Sequence, residues 1–143
     1  MGSAAETVLK AFELGDEQNL DELLKLQTDD FELSMPGMVV KKQDLEGFYR
    51  PTWAGFPDGK HRIDNVIESG DTVVVEATWG GTNLGPVQMP DGEMPATGNR
   101  VSFKLASVNR LREGRVASTH IYFDQMEFLR GMGLVPEMAE AGS

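Results

Sequence analysis

The sequence predicts an α+β fold: a curved antiparallel sheet that makes a cone against three N-terminal helices, with a short C-terminal helix. Three observations predict it. Apolar residues recur at helical spacing as far as Trp53. Beyond Trp53 the chain alternates apolar and polar residues between turn signals. Helices first and strands afterwards place the helices together on one face of a sheet. The length of 143 residues suits a single domain, expected over 1–143.

Each element follows from local pattern. Val8, Ala11, Phe12 and Gly15 mark one face of a first helix, broken at Gly15-Asp16. Asn19 stands three before Glu22, a capping pattern, and Leu20, Leu23, Leu24 and Gln27 mark a second helix. Phe31 to Met35 alternates as a short strand ended by Pro36-Gly37. A third helix runs from about Lys42 towards Trp53, and Pro51 ends or kinks it. Phe56-Pro57-Asp58-Gly59 is a turn. His61 to Glu68 is a strand stopped by Ser69-Gly70-Asp71. Thr72 to Thr82 is the clearest strand, with Val73, Val75, Ala77 and Trp79 on one face. Pro86–Met89 and Met94–Thr97 flank Pro90-Asp91-Gly92-Glu93 as a flap. Asn99–Arg112 and Arg115–Phe123 form a hairpin about Glu113-Gly114. A helix from Gln125 to Met132 stops at Gly133.

Charge and composition exclude several functions. Thirteen basic and 23 acidic residues give a formal charge of −10. That charge repels phosphate backbones and anionic bilayers, so neither nucleic acid nor membrane is an expected partner. With no cysteine there is no disulfide, thiolate metal site or cysteine nucleophile. The absence of a visible leader and of cysteine makes a cytoplasmic location the expectation. His61 and His120 are far apart and no carboxylate pair has ligand spacing, so no metal site is expected. No phosphate-cradling loop and no nucleophile elbow occurs. Gly80-Gly81-Thr82-Asn83-Leu84-Gly85 follows a strand and reads as a bend.

A curved sheet under helices encloses an apolar cavity suited to one small molecule held by a few polar groups. Phe31, Phe48, Trp53, Trp79, Phe103 and Tyr122 are candidates for its wall, or fill the core instead. Met35, Met38, Met89 and Met94 suit an adaptable pocket. In the last strand Ser118, His120, Tyr122 and Asp124 share one face. His120 and Asp124 stand about 13 Å apart along the strand, too far to touch, but both can face one bound molecule. Asp124 is a candidate general base. It also opens a capping box, Asp124-Gln125-Met126-Glu127. His120 is a candidate proton donor. His61, between Lys60 and Arg62, reads as exposed.

Longer stretches carry a family likeness. They are Phe56-Pro57-Asp58, Ser69 to Val75, Gly81-Thr82-Asn83-Leu84-Gly85-Pro86, Pro95 to Phe103, and Tyr122 to Leu134. Over about 5–135 the chain resembles the SnoaL-like polyketide cyclases (ester cyclases), in the superfamily of nuclear transport factor 2, ketosteroid isomerase and scytalone dehydratase. The resemblance implies a cone-shaped α+β barrel, a homodimer or homotetramer, and an intramolecular aldol condensation of an aromatic polyketide ester, with no metal or cofactor. It implies Asp124 as acid/base; the polar stripe of the last strand adds His120 as a second catalytic candidate, orienting substrate oxygens. Tyr122 and Asn109 would orient substrate oxygens, and Trp79, Trp53, Phe48, Met35 and Asn83 would border the substrate. Asn83 stands where many relatives have a histidine, and His120 where they often have tryptophan. An isomerase, dehydratase or hydrolase acting on another small apolar substrate stays open, as does a non-catalytic binding or dimerisation module.

Overall fold

The computed structural model describes residues 3–89 and 92–134. Pro90 and Asp91 of the flap, the Met89 side chain and Glu137 lie outside them. Four α-helices and a six-stranded curved sheet form the predicted α+β arrangement. The sheet is open rather than closed into a barrel, in the order β2-β1-β8-β7-β4-β3.

Helix α1 (Ala4–Asp16) opens on a complete capping box. Ser3 Oγ accepts from the Glu6 N–H, and the Glu6 carboxylate accepts from the Ser3 N–H. Val8 and Leu14 are its buried residues. Helix α2 (Leu20–Lys25) is capped by Asn19, whose side chain accepts from the Glu22 N–H. It ends earlier than its spacing predicts. Gln27 starts strand β1 (Gln27–Met35) instead of extending the helix. Lys42 explains the break: its ammonium donates to the carbonyls of Leu24 and Gln27, satisfying acceptors that helix continuation would have used.

Strand β2 (Met38–Lys41) has no counterpart in the sequence reading. After a 3-10 turn, helix α3 (Leu45–Gly55) runs through Pro51. Pro51 and Gly47, four residues earlier, are both exposed, so the bond that proline forfeits leaves a carbonyl within reach of water.

Strands β3 (Lys60–Ser69) and β4 (Thr72–Thr82) form the expected hairpin, with Gly70 at φ +58°. Val73, Val75 and Ala77 of β4 are buried, as their alternation predicts. Strands β5 (Val87–Met89) and β6 (Gly92–Met94) make the flap hairpin. Strands β7 (Arg100–Arg112) and β8 (Arg115–Phe123) turn at Glu113 and Gly114, both at positive φ, as a two-residue hairpin requires. Helix α4 (Gln125–Gly131) closes the described chain.

One pairing departs from the expected antiparallel meander. β1 lies parallel to β8, Ser34 opposite His120. Register irregularities fall at Gln27/Glu32, Ile63/Asn65 and Arg110/Leu111. Such bulges bend strands, and they curve the sheet around the helices. Glu6, Glu13, Glu17, Asp21, Glu22 and Glu76 are all exposed, so these negative charges sit in water. Among the described residues no helix is long and apolar enough to cross a membrane.

Arg112 pins the β7–β8 turn to β1. Its guanidinium donates to Asp30 at 2.6 Å, and Thr28 Oγ1 donates to the same carboxylate at 2.7 Å. These donors hold the Asp30 pKa down to about 2. Its charged form therefore favours the fold above the ordinary carboxylate range near pH 4, and that contribution fades as pH falls towards 2. Both partners are more than half exposed, so the stabilisation is small. A carboxyl NMR titration is expected to place the Asp30 midpoint near 2. Arg112→Gln should return it towards the usual range, and an unmoved midpoint would contradict this account.

Candidate active site

The concave face of the sheet, with α1, α2 and α3, encloses a cavity of about 490 Å³. Strand parity sets its wall. Thr119, Ile121 and Phe123 of β8 point inward, joined by Phe103, Leu105 and Asn109 of β7 and Trp79 of β4. Most of the lining is apolar. Phe103 stacks on Phe123 at 4.8 Å between ring centroids, and Trp79 lies 5.3 Å from Phe103. On the helical side Tyr49 stacks on Trp53 at 5.2 Å. Burial pushes the Tyr49 phenol up to about 12, so it stays protonated.

The predicted site residues divide. Met35, Phe48, Trp53, Trp79 and Asn109 line the cavity. Asn109 is buried and fully engaged: its Nδ2 donates to the Val73 carbonyl, the Ser107 carbonyl and Ser107 Oγ, and its Oδ1 accepts from Thr119 Oγ1. It stiffens the wall and has no proton left for a ligand.

His120, Tyr122 and Asp124 are not brought to the cavity. Ile121 and Phe123 take the inward positions of β8, so alternation turns the polar stripe to the convex face. There His120 and Tyr122 stack on each other, 4.2 Å between centroids and 8° between planes. Tyr122 is half exposed. The apolar set of β8 takes the inside because burying it removes more apolar surface from water.

Asp124 is exposed and caps α4, its carboxylate accepting from the Met126 N–H at 2.9 Å. The expected box is replaced by a simple cap: Asp124 accepts from Met126 rather than from the Glu127 N–H, and the Glu127 carboxylate accepts from the Lys104 N–H. Asp124→Ala is expected to cost about 1 kcal/mol of stability, the ordinary value of a cap. Turnover should be retained, which thermal melting and an activity assay on the same preparation would check.

Asn83 is also absent from the cavity wall. It is fully buried, and its side chain knots three segments. Nδ2 donates to the carbonyls of Gly55 and Gly85, while Oδ1 accepts from the N–H and hydroxyl of Thr97. Beside it, a β-carbon on Gly85 would collide with the Ala54 carbonyl oxygen, so only glycine lets the turn pass α3 this closely.

The structure adds a pair that sequence reasoning missed. His61, expected to be exposed, lies on the cavity wall opposite Trp79 in the sheet register. Its Nδ1 meets Asp16 Oδ1 at 2.7 Å, and its backbone N–H donates to Asp16 Oδ2 at 2.9 Å. Phe12 packs edge-on against the imidazole, 4.9 Å between centroids. The two side chains are only 22% and 19% exposed. A carboxylate on Nδ1 fixes that nitrogen as the N–H and leaves Nε2 free to accept a proton. Forty-five residues separate the partners, so no local motif joins them. The available signal was weak: Asp16 at the end of α1, and a histidine opening a strand.

The comparisons agree with this architecture. The candidate hydroxylase AclR from Streptomyces galilaeus superposes with a TM-score of 0.82 at 19% identity, covering 97% of this chain and 86% of that one. A candidate SnoaL-like polyketide cyclase from Jannaschia sp. CCS1 gives 0.81 at 23% identity, covering 93% of each chain. IdmH, a candidate polyketide cyclase from Streptomyces antibioticus, gives 0.77 at 20% identity, covering 92% and 99%. No curated protein matches the chain. The SnoaL-like domain model matches residues 8–119, most of the sequence, and the chain belongs to the SnoaL-like domain family.

Proposed function

We propose that the protein is an enzyme that moves protons on one small, largely apolar substrate, with chemistry of the polyketide-cyclase type. The His61–Asp16 pair on the wall of an otherwise apolar cavity carries this reading. His61 Nε2 takes a proton from an activated carbon, and Asp16 stabilises the imidazolium that forms. The enolate carbon then attacks a carbonyl of the same molecule. A carbon–carbon bond closes the ring, and the new alkoxide takes the proton back from His61. Tyr49, a phenol kept neutral by burial, is available to donate a hydrogen bond to oxygen charge that develops on the way. The proton leaves and returns through His61, the carbon–carbon bond forms with no change of overall oxidation state, and the scheme calls on no metal or redox group.

Family membership and the names borne by the Jannaschia and Streptomyces antibioticus proteins support the cyclase form. AclR bears the name of a candidate hydroxylase, and one fold hosts several chemistries, so the substrate panel below includes other reaction types. Asp124 and His120 are not given the chemistry in this reading, because both lie away from the cavity wall. A substrate panel spanning aromatic polyketide esters, enolisable ketones and epoxides tests it. Turnover of a cyclisation substrate, lost in Asp16→Asn/His61→Asn, is the expected result. Turnover that survives the double substitution would end the assignment.

A further inference from the structure

One polar side chain on the cavity wall takes no part in that proton transfer. Gln27 opens β1, is 3% exposed and lines the cavity. Its Oε1 is buried without a hydrogen-bond partner among the described residues. Native interiors rarely leave a side-chain acceptor orphaned, because desolvation without a donor is costly. Two other polar residues of the same cavity wall, Thr119 and Asn109, offer it no donor. Thr119 spends its hydroxyl proton on Asn109 Oδ1 at 2.8 Å, so towards the cavity it offers lone pairs only. Asn109 spends its Nδ2 protons on Val73 and Ser107.

The register places this group away from the proposed base. Gln27 pairs with Val116, and Val116 pairs with Leu111, whose N–H donates to Asp71 just before β4. His61 pairs with Trp79, near the far end of the same strand. The two polar groups therefore stand at opposite ends of the sheet rows, with the aromatic wall nearer His61.

We propose that the Gln27 end of the cavity is a subsite for a hydroxyl group, phenolic or alcoholic, on the substrate. The substrate enters hydroxyl foremost, donates to Gln27 Oε1, and leaves its reacting carbon towards His61. This rests on the cavity being the substrate site, as in the proposed function. The backbone of Gln27 is held independently, its carbonyl accepting from Lys42 Nζ at 3.0 Å and from Arg115 at 3.4 Å. Replacing the side chain therefore leaves the strand anchored.

Titration calorimetry with 2-naphthol and 2-methoxynaphthalene tests the subsite. The two share an aromatic body, and only the first has a donor. The wild type is expected to prefer 2-naphthol by about tenfold, the worth of one good hydrogen bond. In Gln27→Leu and Gln27→Met the preference should fall to within about twofold, the methionine variant keeping the side-chain length should leucine not fold. Without probe, Gln27→Met should melt no lower than wild type, because it removes an orphaned acceptor. A Gln27 that merely supports the fold would lower the melting point instead. His61→Asn should keep the preference. Equal affinities in the wild type, or a preference that survives Gln27→Met, would overturn the subsite and leave the cavity reading standing. Failure of both probes to bind would overturn the subsite and the cavity reading together.

Discussion

His61→Asn is expected to lower turnover of an accepted substrate by about 10²–10⁴-fold, the usual worth of a positioned acid/base group. Asparagine keeps a polar side chain but cannot shuttle a proton at Nε2. Asp16→Asn should cost less than or as much as His61→Asn, because the imidazole persists without its anionic partner at 2.7 Å. The two should be strongly non-additive, since groups that act as a unit fail together. Folding is not expected to change greatly. Both side chains are partly exposed, and His61→Asn takes only the imidazole from the Asp16 carboxylate, since the backbone N–H at position 61 still donates. Steady-state kinetics on the single and double variants, with melting curves alongside, check this. Fully additive losses would show that the two residues do not work as one unit.

Asn83 carries the largest expected effect on stability. Asn83→Ala strips partners from two carbonyls, an N–H and a hydroxyl around a fully buried site. Each buried group left unsatisfied costs about 1–3 kcal/mol, so a loss of about 4 kcal/mol is expected. That is a large part of the 5–15 kcal/mol typical of a domain. Asn83→Asp is a sharper test. A carboxylate would face the Gly55 and Gly85 carbonyls, where the amide N–H₂ now donates. The folded state would then prefer the protonated acid, raising its pKa above the unfolded value near 4. Stability should therefore be greatest below that value and fall as pH rises through the folded-state pKa. Denaturant unfolding of Asn83→Asp at pH 7 and pH 4 is expected to show recovery at the lower pH relative to wild type. Equal deficits at both values would contradict this arrangement.

The cavity-lining residues were recognisable in part. Trp79, Trp53, Phe48 and Met35 are large apolar residues at positions that periodicity assigns to inner faces, and all four line the cavity. The face of β8 was the harder question. Its two sets, Ser118/His120/Tyr122/Asp124 and Ala117/Thr119/Ile121/Phe123, both mix polar and apolar groups. Chemical interest pointed to the first set. Burial of Ile121 and Phe123 against Phe103 and Leu105 chose the second. Once the inner set is fixed, one-residue alternation leaves His120 and Tyr122 no path inward. Asn83 was ambiguous for a related reason. An asparagine in a turn is an ordinary local feature, and only the return of Thr97 and the approach of Gly55 make it a buried junction.

By itself the sequence determined the elements and their class. Capping residues, glycine turns and the two periodicities are local physics, acting within a few residues, and they give four helices and the strand hairpins nearly where they lie. It also determined the family, through stretches spread over most of the chain. Only the tertiary structure decided what the elements do together. The parallel union of β1 with β8, the bulges that leave the sheet curved but open, and the Lys42 ammonium that ends α2 before Gln27 all join residues distant in sequence. The candidate chemistry belongs to this second group. Asp16 and His61 meet because α1 packs along β3, and Gln27 faces the cavity because a strand replaces the last turn of a helix. Side-chain pairing across the chain is set by packing, and no local pattern encodes it.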